Sequence, residues 1–540
     1  MGLSSCFLYI WPSTLVKPTV NLVKSTVNHL IDPIRCSVYA RAMLQSHSRF
    51  VLVLALLWSA VAVAQVPLPS PTPLDEFTIV ALPDTQFYSS TYPQIFAAQT
   101  QWIADHVKDQ NIQLVVGLGD IVDGGGNLSQ WQNADAAVRL LQGQVPYMMA
   151  IGNHDYDQNN PAGRTASTQN FNAFFGPARY AGASWYRGSF PAGSNENFYG
   201  VITVNGRSYV IVVLEFAARD SALAWADGIL KANQDKEAII VTHMFTYADN
   251  TRISQCDQNS AASFGVGQDN NGEDMWWKLV RKYPNIHLVL SGHVVQGDGT
   301  GRRMDLGANG NLVNQILSDY QSDPLGGGGY LRLLRISLSL NRVSVSTYSP
   351  YLNASMTDDH NQFIVPYRNP GVSTASGTIS GKVKSAQDCS AAAGVTVAYS
   401  GSSAVTDANG NFTIPAAARK SQTITASKTG WQSNARSATS TLNAVAEPSP
   451  AKIFVATAGR IKGHVLNSGG VSLAGATVTF TGGKLRQSKT VTSDGTGAYN
   501  SGWIAIGSYT VTVVAPGHPG NSTTATVTTG LTTTLDLTLQ

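Results

Sequence analysis

Between residues 74 and 368 the chain alternates short apolar runs with longer stretches of mixed polarity. The runs are FTIVALP (77–83), LVVGLG (114–119), YMMAI (147–151), AIIVT (238–242) and HLVLS (287–291). Runs of this length that are rich in Val, Ile and Leu are typical of buried strands. Residues 93–108 and 273–282 are candidate helices. Strands that alternate with helices predict a layered α/β domain over residues 74–368.

The end of this domain has a different pattern. Residues 330–348 (YLRLLRISLSLNRVSVSTY) alternate apolar and polar positions in two runs. One solvated face and one buried face are typical of antiparallel strands, so this segment predicts a hairpin that closes the sheet.

After Arg368 the composition shifts to Gly, Ser, Thr and Ala, and an internal repeat begins. GTISGKV from Gly377 matches GRIKGHV from Gly459, and DANGNF from Asp407 matches DGTGAY from Asp494. The Asp-x-x-Gly turns would connect hairpins. We predict a linker over 369–376 and two all-β sandwich modules, 377–455 and 456–540. Both modules resemble carboxypeptidase regulatory-like, transthyretin-like or Ig-like domains.

The N-terminus predicts export from the cytoplasm. Residues 43–64 combine a basic start, an apolar stretch and an Ala-Val-Ala ending before Gln65, which are the parts of a secretory signal peptide. A membrane anchor is the competing interpretation, but its apolar span needs about 20 residues. We interpret residues 1–42 as an upstream extension that is not native to the mature protein, and the proline-rich residues 65–73 as a linker. The expected location is extracellular or periplasmic.

The net charge of the mature chain argues against nucleic acid as a partner. Without residues 1–64 the chain keeps 31 basic and 32 acidic residues, a net charge of −1. Such a chain lacks the excess of basic residues that nucleic-acid binding needs.

Cys256 and Cys389 remain, and because they lie in different candidate domains the sequence predicts no disulfide between them.

Polar blocks follow the five apolar runs of the α/β domain. The blocks are Asp84-Thr85-Gln86, Gly119-Asp120, Gly152-Asn153-His154-Asp155, His243 and Gly292-His293. Residues at the carboxyl ends of strands line the crevice where open α/β sheets bind ligands. Asp, Asn and His are donors suited to divalent metals. Two such ions about 3.5–4 Å apart can clamp a phosphate and activate a water molecule.

In order and spacing the blocks resemble the motifs of the calcineurin-like metallophosphoesterase family, and the fold class that follows is a metallophosphoesterase sandwich. The resemblance implies a phosphate ester substrate and two divalent metal ions, Mn, Fe, Mg or Zn. It assigns Asp84, Gln86 and Asp120 to the first metal. It makes His154 the proton donor, with Asp155 placed to orient its ring. Asp120 also belongs to the second metal, together with the remaining residues: Asn153, His243 and His293.

Two positions depart from the family pattern. Gln86 and Val295 stand where the family has histidines, and both positions belong to the first metal. We therefore predict a weaker, oxygen-rich first site. Gln296 or Asp298 could supply a ligand to the first metal in place of the absent histidines.

The run 314–321 (NQILSDYQ) either reaches the site or forms a turn before an edge strand.

The sequence supports two functions. The first is a secreted phosphoesterase that uses metal-activated water, with modules that extend or anchor it at a surface or glycan. The alternative is a binding or adhesion protein whose metal chemistry is impaired by Gln86 and Val295. Asp123 and Asp157, which neighbour the ligand blocks, are interpreted as turn residues and left out of the site.

Overall fold

The computed structural model describes residues 75–161, 164–371, 376–417, 421–433, 436–439, 441–442 and 451–540. The predicted N-terminal extension, the signal peptide and the proline-rich linker lie outside these residues, and so do residues 372–375 of the linker predicted at 369–376. Across the described ranges, every helix is too short or too polar to span a bilayer.

The α/β domain begins at β1 and ends at β14. Its strands are β1 (Phe77–Leu82), β2 (Ile112–Gly117), β3 (Tyr147–Met149), β4 (Tyr186–Phe190), β5 (Asn197–Val204), β6 (Arg207–Leu214), β7 (Glu237–Thr242), β8 (Ile286–Ser291), β9 (Thr300–Leu306), β10 (Leu312–Ser318), β11 (Leu331–Ser337), β12 (Arg342–Ser349), β13 (Ala354–Met356) and β14 (Phe363–Val365). Its helices are α1 (Gln86–Ser90), α2 (Pro93–Asp105), α3 (Leu128–Val138), α4 (Gln169–Phe175), α5 (Pro177–Tyr180), α6 (Asp220–Ala232), α7 (Gly272–Lys278) and the single turn α8 (Pro324–Gly327).

Both candidate helices form, although each is shorter than predicted. Pro93 starts α2 at a position where its missing N–H is not needed, and the helix ends at Asp105. The helix α7 starts from a capping box between Asn271 and Asp274 and ends at Lys278. A separate 3-10 turn covers Val280–Lys282.

The described strands of the α/β domain form two 7-stranded sheets. The first has the order β13-β12-β11-β1-β2-β3, with β14 beside β12, and the second has the order β4-β5-β6-β7-β8-β10-β9. β1, β2 and β3 are parallel, and so are β6, β7, β8 and β10. The antiparallel pair β11 and β12 confirms the predicted hairpin. Because parallel strands end at the same edge, the polar blocks that follow them converge.

The two sheets pack face to face between outer helices. Successive side chains of a strand point to opposite faces, so Ile79 of β1 packs between the sheets while Val80 packs under the helices. In the second sheet, Ile211 of β6 likewise packs between the sheets, while Val212 packs under the helices. The predicted layered α/β class is confirmed.

Trp131 of α3 anchors the helical layer. Its side chain is fully buried, its Nε1 donates to the carbonyl of Gly125 over 2.7 Å, and its ring stacks on Phe174. Trp131→Ala is expected to lower the free energy of unfolding by about 3–5 kcal/mol, because it leaves a large cavity. Urea unfolding followed by circular dichroism tests this. Trp503→Ala, at a side chain that is 49% exposed, is the matched control and is expected to have little effect. Equal loss in both variants would contradict the anchoring role.

The C-terminal part is all-β, as predicted. Its strands are β15 (Ser376–Ser385), β16 (Thr396–Tyr399), β17 (Ser402–Val405), β18 (Asn411–Ala417), β19 (Ser421–Ser427), β20 (Trp431–Ser433), β21 (Arg436–Thr439), β22 (Thr441–Leu442), β23 (Ala451–Asn467), β24 (Thr477–Gly482), β25 (Gln487–Thr492), β26 (Ala498–Asn500), β27 (Ile504–Ala505), β28 (Gly507–Ala515), β29 (His518–Val527), β30 (Thr532–Thr534) and β31 (Leu537–Leu539). Two apolar clusters, around Val397 and around Val478, form separate cores.

The 17-residue strand β23 serves both modules. Its first part, from Ala451 to Val455, pairs with β15, and its later part pairs with β26, β30 and β31. The boundary predicted between residues 455 and 456 falls inside this continuous strand. The domain limits themselves remain predictions.

The expectation that Cys256 and Cys389 stay unpaired is wrong, because the two residues form a disulfide. The α/β domain packs against the first module at this point, where Lys452 of β23 also bonds to Asp257. The two cysteines lie in different candidate domains, and the sequence does not show that these domains are in contact.

Candidate metal centre

The predicted metal ligands converge where the parallel strands of both sheets end. Asp84 follows β1, Asp120 follows β2, His243 follows β7 and His293 follows β8, and all are buried. Asp120 and His293 have positive φ angles of 46° and 76°. Non-glycine residues rarely adopt this conformation, and here the turn brings both side chains back over the strand ends.

The second-metal set is assembled. One ligand atom each from Asp120, His243 and His293 lies within 4.8 Å of the others. The Nε2 atom of His243 is 3.2 Å from Oδ2 of Asp120 and 3.2 Å from Oδ1 of Asn153. A carboxylate, an amide oxygen and two imidazoles around one point can hold a divalent cation.

Backbone carbonyls fix the two histidine rings. Nδ1 of His243 lies 2.8 Å from the carbonyl oxygen of Leu118, and Nε2 of His293 lies 3.1 Å from that of Asn259. A ring N–H that donates to a carbonyl leaves the other nitrogen unprotonated and aimed at the cluster, which is the usual arrangement around a metal-binding histidine. Burial, reinforced by His243, lowers the pKa of His293 to about 3, so its ring is neutral.

The first-metal set contains a buried amide oxygen without a partner. Gln86 starts α1 and is buried, and its Oε1 has no hydrogen-bond partner among the described residues. Buried polar atoms are rarely left unpaired, and a cation would satisfy this one. Asp84 accepts a bond from the backbone N–H of His293 over 3.2 Å.

Asp319 joins this set although the sequence analysis did not single it out. It is buried and shares a hydrogen bond with the carboxyl group of Asp84. Burial raises the pKa of Asp319 to about 6 and that of Asp84 well above its ordinary value, because removal from water disfavours the charged form of a carboxyl group. The run 314–321 therefore reaches the site. The proposed replacement Asp298 instead bonds to Thr300 and His360.

The same signal that located the other ligands could have found Asp319. It directly follows the buried strand β10, which pairs in parallel with β8. In the sequence, however, the antiparallel strand β9 intervenes between β8 and β10. The strand order of the sheet was therefore needed to bring Asp319 to the ligand edge.

His154 lies at the border of the cluster. Its side chain is 33% exposed, its backbone N–H donates to Oδ1 of Asp120, and its Nδ1–H donates to the carbonyl of Asp123 over 2.8 Å. Burial lowers the pKa of His154, but the charge of Asp120, the hydrogen bond to the carbonyl of Asp123 and the charges of Asp123 and Asp155 together outweigh burial and raise it. When it is protonated, this accessible imidazole beside the predicted metal site can donate a proton.

The orienting role predicted for Asp155 is corrected. Its carboxylate accepts bonds from the backbone N–H groups of Val122 and Gly152, over 3.0 and 2.8 Å. Asp155 thus holds the two ligand loops together, whereas the ring of His154 is held by Asp123, which had been left out of the site. Burial raises the pKa of Asp155 to about 7.

Glycines in the blocks allow the carboxylates to approach. A Cβ on Gly152 would lie 2.1 Å from Oδ1 of Asp120, and one on Gly292 would lie 2.2 Å from Oδ1 of Asp84. Real Cβ contacts are never that short, so only glycine fits at either position.

Comparison with known proteins agrees with this geometry. Residues 77–297 match the family model for calcineurin-like phosphoesterases. The α/β domain is a calcineurin-like phosphoesterase domain. Residues 460–540 match the carboxypeptidase regulatory-like domain. Both matches, in this order, confirm the resemblances predicted for the α/β domain and for the second module. The resemblance of the first module, 377–455, stays a prediction.

The relatives of this phosphoesterase domain add little on activity. The chain is 34% identical to the uncharacterized protein YvnB of Bacillus subtilis (strain 168) over 286 residues, which are 52% of this chain and 20% of YvnB. It is 44% identical to probable inactive purple acid phosphatase 27 of Arabidopsis thaliana over 52 residues, 9% of this chain and 8% of that protein. The chain thus spans a small share of both relatives. Purple acid phosphatase PPD1 from yellow lupin aligns with 55% of each chain at 15% identity and a TM-score of 0.36, too low to support an argument.

Gln86→Ala is expected to weaken binding of the first metal by about tenfold or more, because it removes the unpaired amide oxygen from the candidate metal centre. Titration of metal-stripped protein with Mn²⁺ in a calorimeter measures the affinity of each site. Gln99→Ala is the matched control, since Gln99 of α2 is also buried with an unpaired Oε1, while its Nε2 donates to the carbonyl of Tyr330 and it belongs to none of the ligand blocks. Unchanged Mn²⁺ binding in Gln86→Ala would exclude Gln86 as a ligand.

Proposed function

We propose that the protein is a secreted, metal-dependent phosphoesterase that hydrolyses phosphate mono- or diesters. The observation that carries this proposal is the convergence of Asp120, His243 and His293 with Asn153 and Asp84 close to His243. The buried, unpaired Oε1 of Gln86 and the accessible ring of His154 at the border of the cluster support it. The phosphoesterase domain supports the same chemistry.

The donor set fits two divalent cations that share Asp120. Asp84, Gln86 and Asp120 would hold the first, and Asp319 would add a carboxylate that compensates for the absent histidines. Asp120, Asn153, His243 and His293 would hold the second. When bound, the cations neutralise phosphoryl charge and lower the pKa of a coordinated water molecule.

His154 supplies the proton for the leaving group. As water attacks phosphorus, the bond to the ester oxygen breaks and that oxygen takes a proton from the exposed side of the His154 ring. The carbonyl of Asp123 holds the opposite nitrogen, which keeps the donor nitrogen turned outward. Afterwards the neutral ring regains a proton from solvent. This sequence of steps is general acid catalysis.

Hydrolysis assays test the proposal. The metal-stripped protein is given p-nitrophenyl phosphate and bis-p-nitrophenyl phosphate, with Mn²⁺, Mg²⁺, Fe²⁺ or Zn²⁺ restored one at a time. Metal-dependent turnover of either ester supports a phosphoesterase and identifies the ester class. A folded protein without turnover under any metal would refute the phosphoesterase proposal.

Mass spectrometry of the exported protein tests secretion, since cleavage of the signal peptide predicts a mature chain that begins at Gln65.

A binding or adhesion protein is the alternative function. Gln86 and Val295 replace two family histidines, and two matched relatives carry the word inactive in their names. The retention of His154 and of the complete second-metal set argues against it. Metal binding without turnover would favour this alternative.

A further inference from the structure

A long irregular segment connects the second sheet to α7 and touches the metal centre. This connecting segment, residues 244–271, contains one 3-10 turn, Ala261–Phe264, as its only helical element. Loops much longer than about 15 residues are uncommon in compact domains and are usually functional. Such a segment needs external contacts if it is to hold one conformation.

The connecting segment holds the ring of His293. The carbonyl of Asn259 accepts a bond from Nε2–H of His293 over 3.1 Å, and the Asn259 side chain donates to the backbone carbonyl of the same histidine. The ring of Phe264 lies 5.0 Å from the imidazole. Asn259 and Phe264 thus set the ring orientation that turns Nδ1 towards Asp120 and His243.

The first C-terminal module holds the connecting segment three residues away. Cys256 is bonded to Cys389 of the module, at a sequence separation of 133 residues. The adjacent Asp257 accepts bonds from Nζ of Lys452 over 2.7 and 2.8 Å, and both side chains are at least nine-tenths buried. Asp257 also accepts bonds from the N–H and hydroxyl groups of Ser254, so the module fixes the start of the turn that presents Asn259.

The second module holds the other end of the segment. Arg486 pairs with Asp274 over 2.6 Å and donates to the carbonyls of Gly267 and Asp269. Leu485 and Phe454 belong to a small apolar cluster that packs against Cys256. Contacts from both modules therefore bracket the residues that touch His293.

We propose that the C-terminal modules are positioning elements of the metal centre, which act through Cys256–Cys389 and Lys452–Asp257 to hold Asn259 against the ring of His293. The inference rests on the proposed function, in which His293 binds metal. Cys256, Cys389 and Lys452 are positioning residues, since none of them contacts the predicted ligands directly. Surface attachment is not needed to explain why the modules accompany the phosphoesterase domain.

Two variants of the full chain test the proposal. One is the double variant Cys256→Ser with Cys389→Ser, and the other is Lys452→Met, which leaves the disulfide in place. Lys489→Met, at an exposed lysine of the second module, is the matched control. Circular dichroism establishes that each variant is folded, and the two independent variants guard against failure of one of them to fold.

Three measurements separate positioning from metal binding. In metal-free protein, amide hydrogen exchange over 256–264 is expected to quicken by about tenfold in both variants. The ¹⁵N NMR signals of His293 are expected to change from a single Nε2–H tautomer to a mixture. Calorimetric Mn²⁺ affinity at the site that contains His293 is expected to fall by about 10–100-fold, the usual effect of losing an outer-shell partner. The control is expected to match wild type in all three.

The outcomes are distinguishable. Unchanged tautomer and unchanged Mn²⁺ affinity in both variants overturn the positioning role, even if hydrogen exchange quickens. If wild-type protein binds neither Mn²⁺ nor Zn²⁺, the metal-dependent function is refuted instead. If the tautomer of His293 still changes in both variants of that protein, the positioning of His293 is supported independently of metal binding.

Discussion

His154→Ala is expected to lower kcat for p-nitrophenyl phosphate or its diester by about 10²–10⁴-fold, the range typical of a lost general acid. The predicted metal-binding residues would stay in place, because the His154 side chain is 33% exposed and, among the described residues, its ring bonds to Asp123. Binding of the ester and of Mn²⁺ is therefore expected to change little. Steady-state kinetics with saturating metal measure the effect.

The leaving group provides a sharper test of the same role. A leaving oxygen of low pKa needs less help from a proton donor, so His154→Ala should reduce the hydrolysis of an alkyl phosphate more than that of a p-nitrophenyl ester. His106→Ala is the matched control, since His106 caps α2 and bonds to the carbonyl of Trp102. Equal losses with both kinds of ester would point to a role in substrate binding rather than in proton donation.

Asp120→Asn is expected to abolish measurable turnover and to weaken both metal sites together, because Asp120 is the one residue assigned to both ions. Loss of the Lewis acid removes several kcal/mol of transition-state stabilisation, or about 10³-fold in rate. The substitution keeps the size of the side chain, and the amide oxygen can still accept the backbone bond from His154. Plasma emission spectrometry of purified protein gives the metal content, and assays on the same sample give the rate.

Asp157→Asn is the matched control for Asp120→Asn. Asp157 lies close in sequence to the same ligand block, but it accepts bonds only from the backbone N–H groups of Gln169 and Asn170 among the contacts described. It is expected to keep wild-type metal content and rate. If Asp120→Asn retained a full complement of both metals, the bridging assignment would be wrong.

The fold and most of the candidate site followed from one regularity of the sequence. Apolar runs end in polar blocks, and parallel strands place those blocks at one edge, so Asp84, Asp120, His243 and His293 could be brought together without a structure. Their strands are buried on both faces, and the composition of such strands is distinctive. Local sequence signals of this kind are strong because they depend only on neighbours along the chain.

Other parts of the site depended on spatial contacts that no local pattern records. Asp319 reaches the cluster only because β10 lies beside β8, with β9 outside it. Asp123 rather than Asp155 holds His154 through a backbone carbonyl, a group that every residue carries. The pairing of Cys256 with Cys389 required knowledge that two domains touch.

The shared strand β23 also bears on how the C-terminal part of the protein can be inherited or recombined. This strand pairs with the first module over 451–455 and with the second from residue 458 onward. It therefore contains no position at which the chain could be cut to exchange one sandwich without disrupting the other. A graft at the apparent repeat boundary would cut a hydrogen-bonded ladder instead of a linker. The two sandwiches are therefore one transferable unit, and a chimera has to carry both of them with Ala451–Asn467 whole.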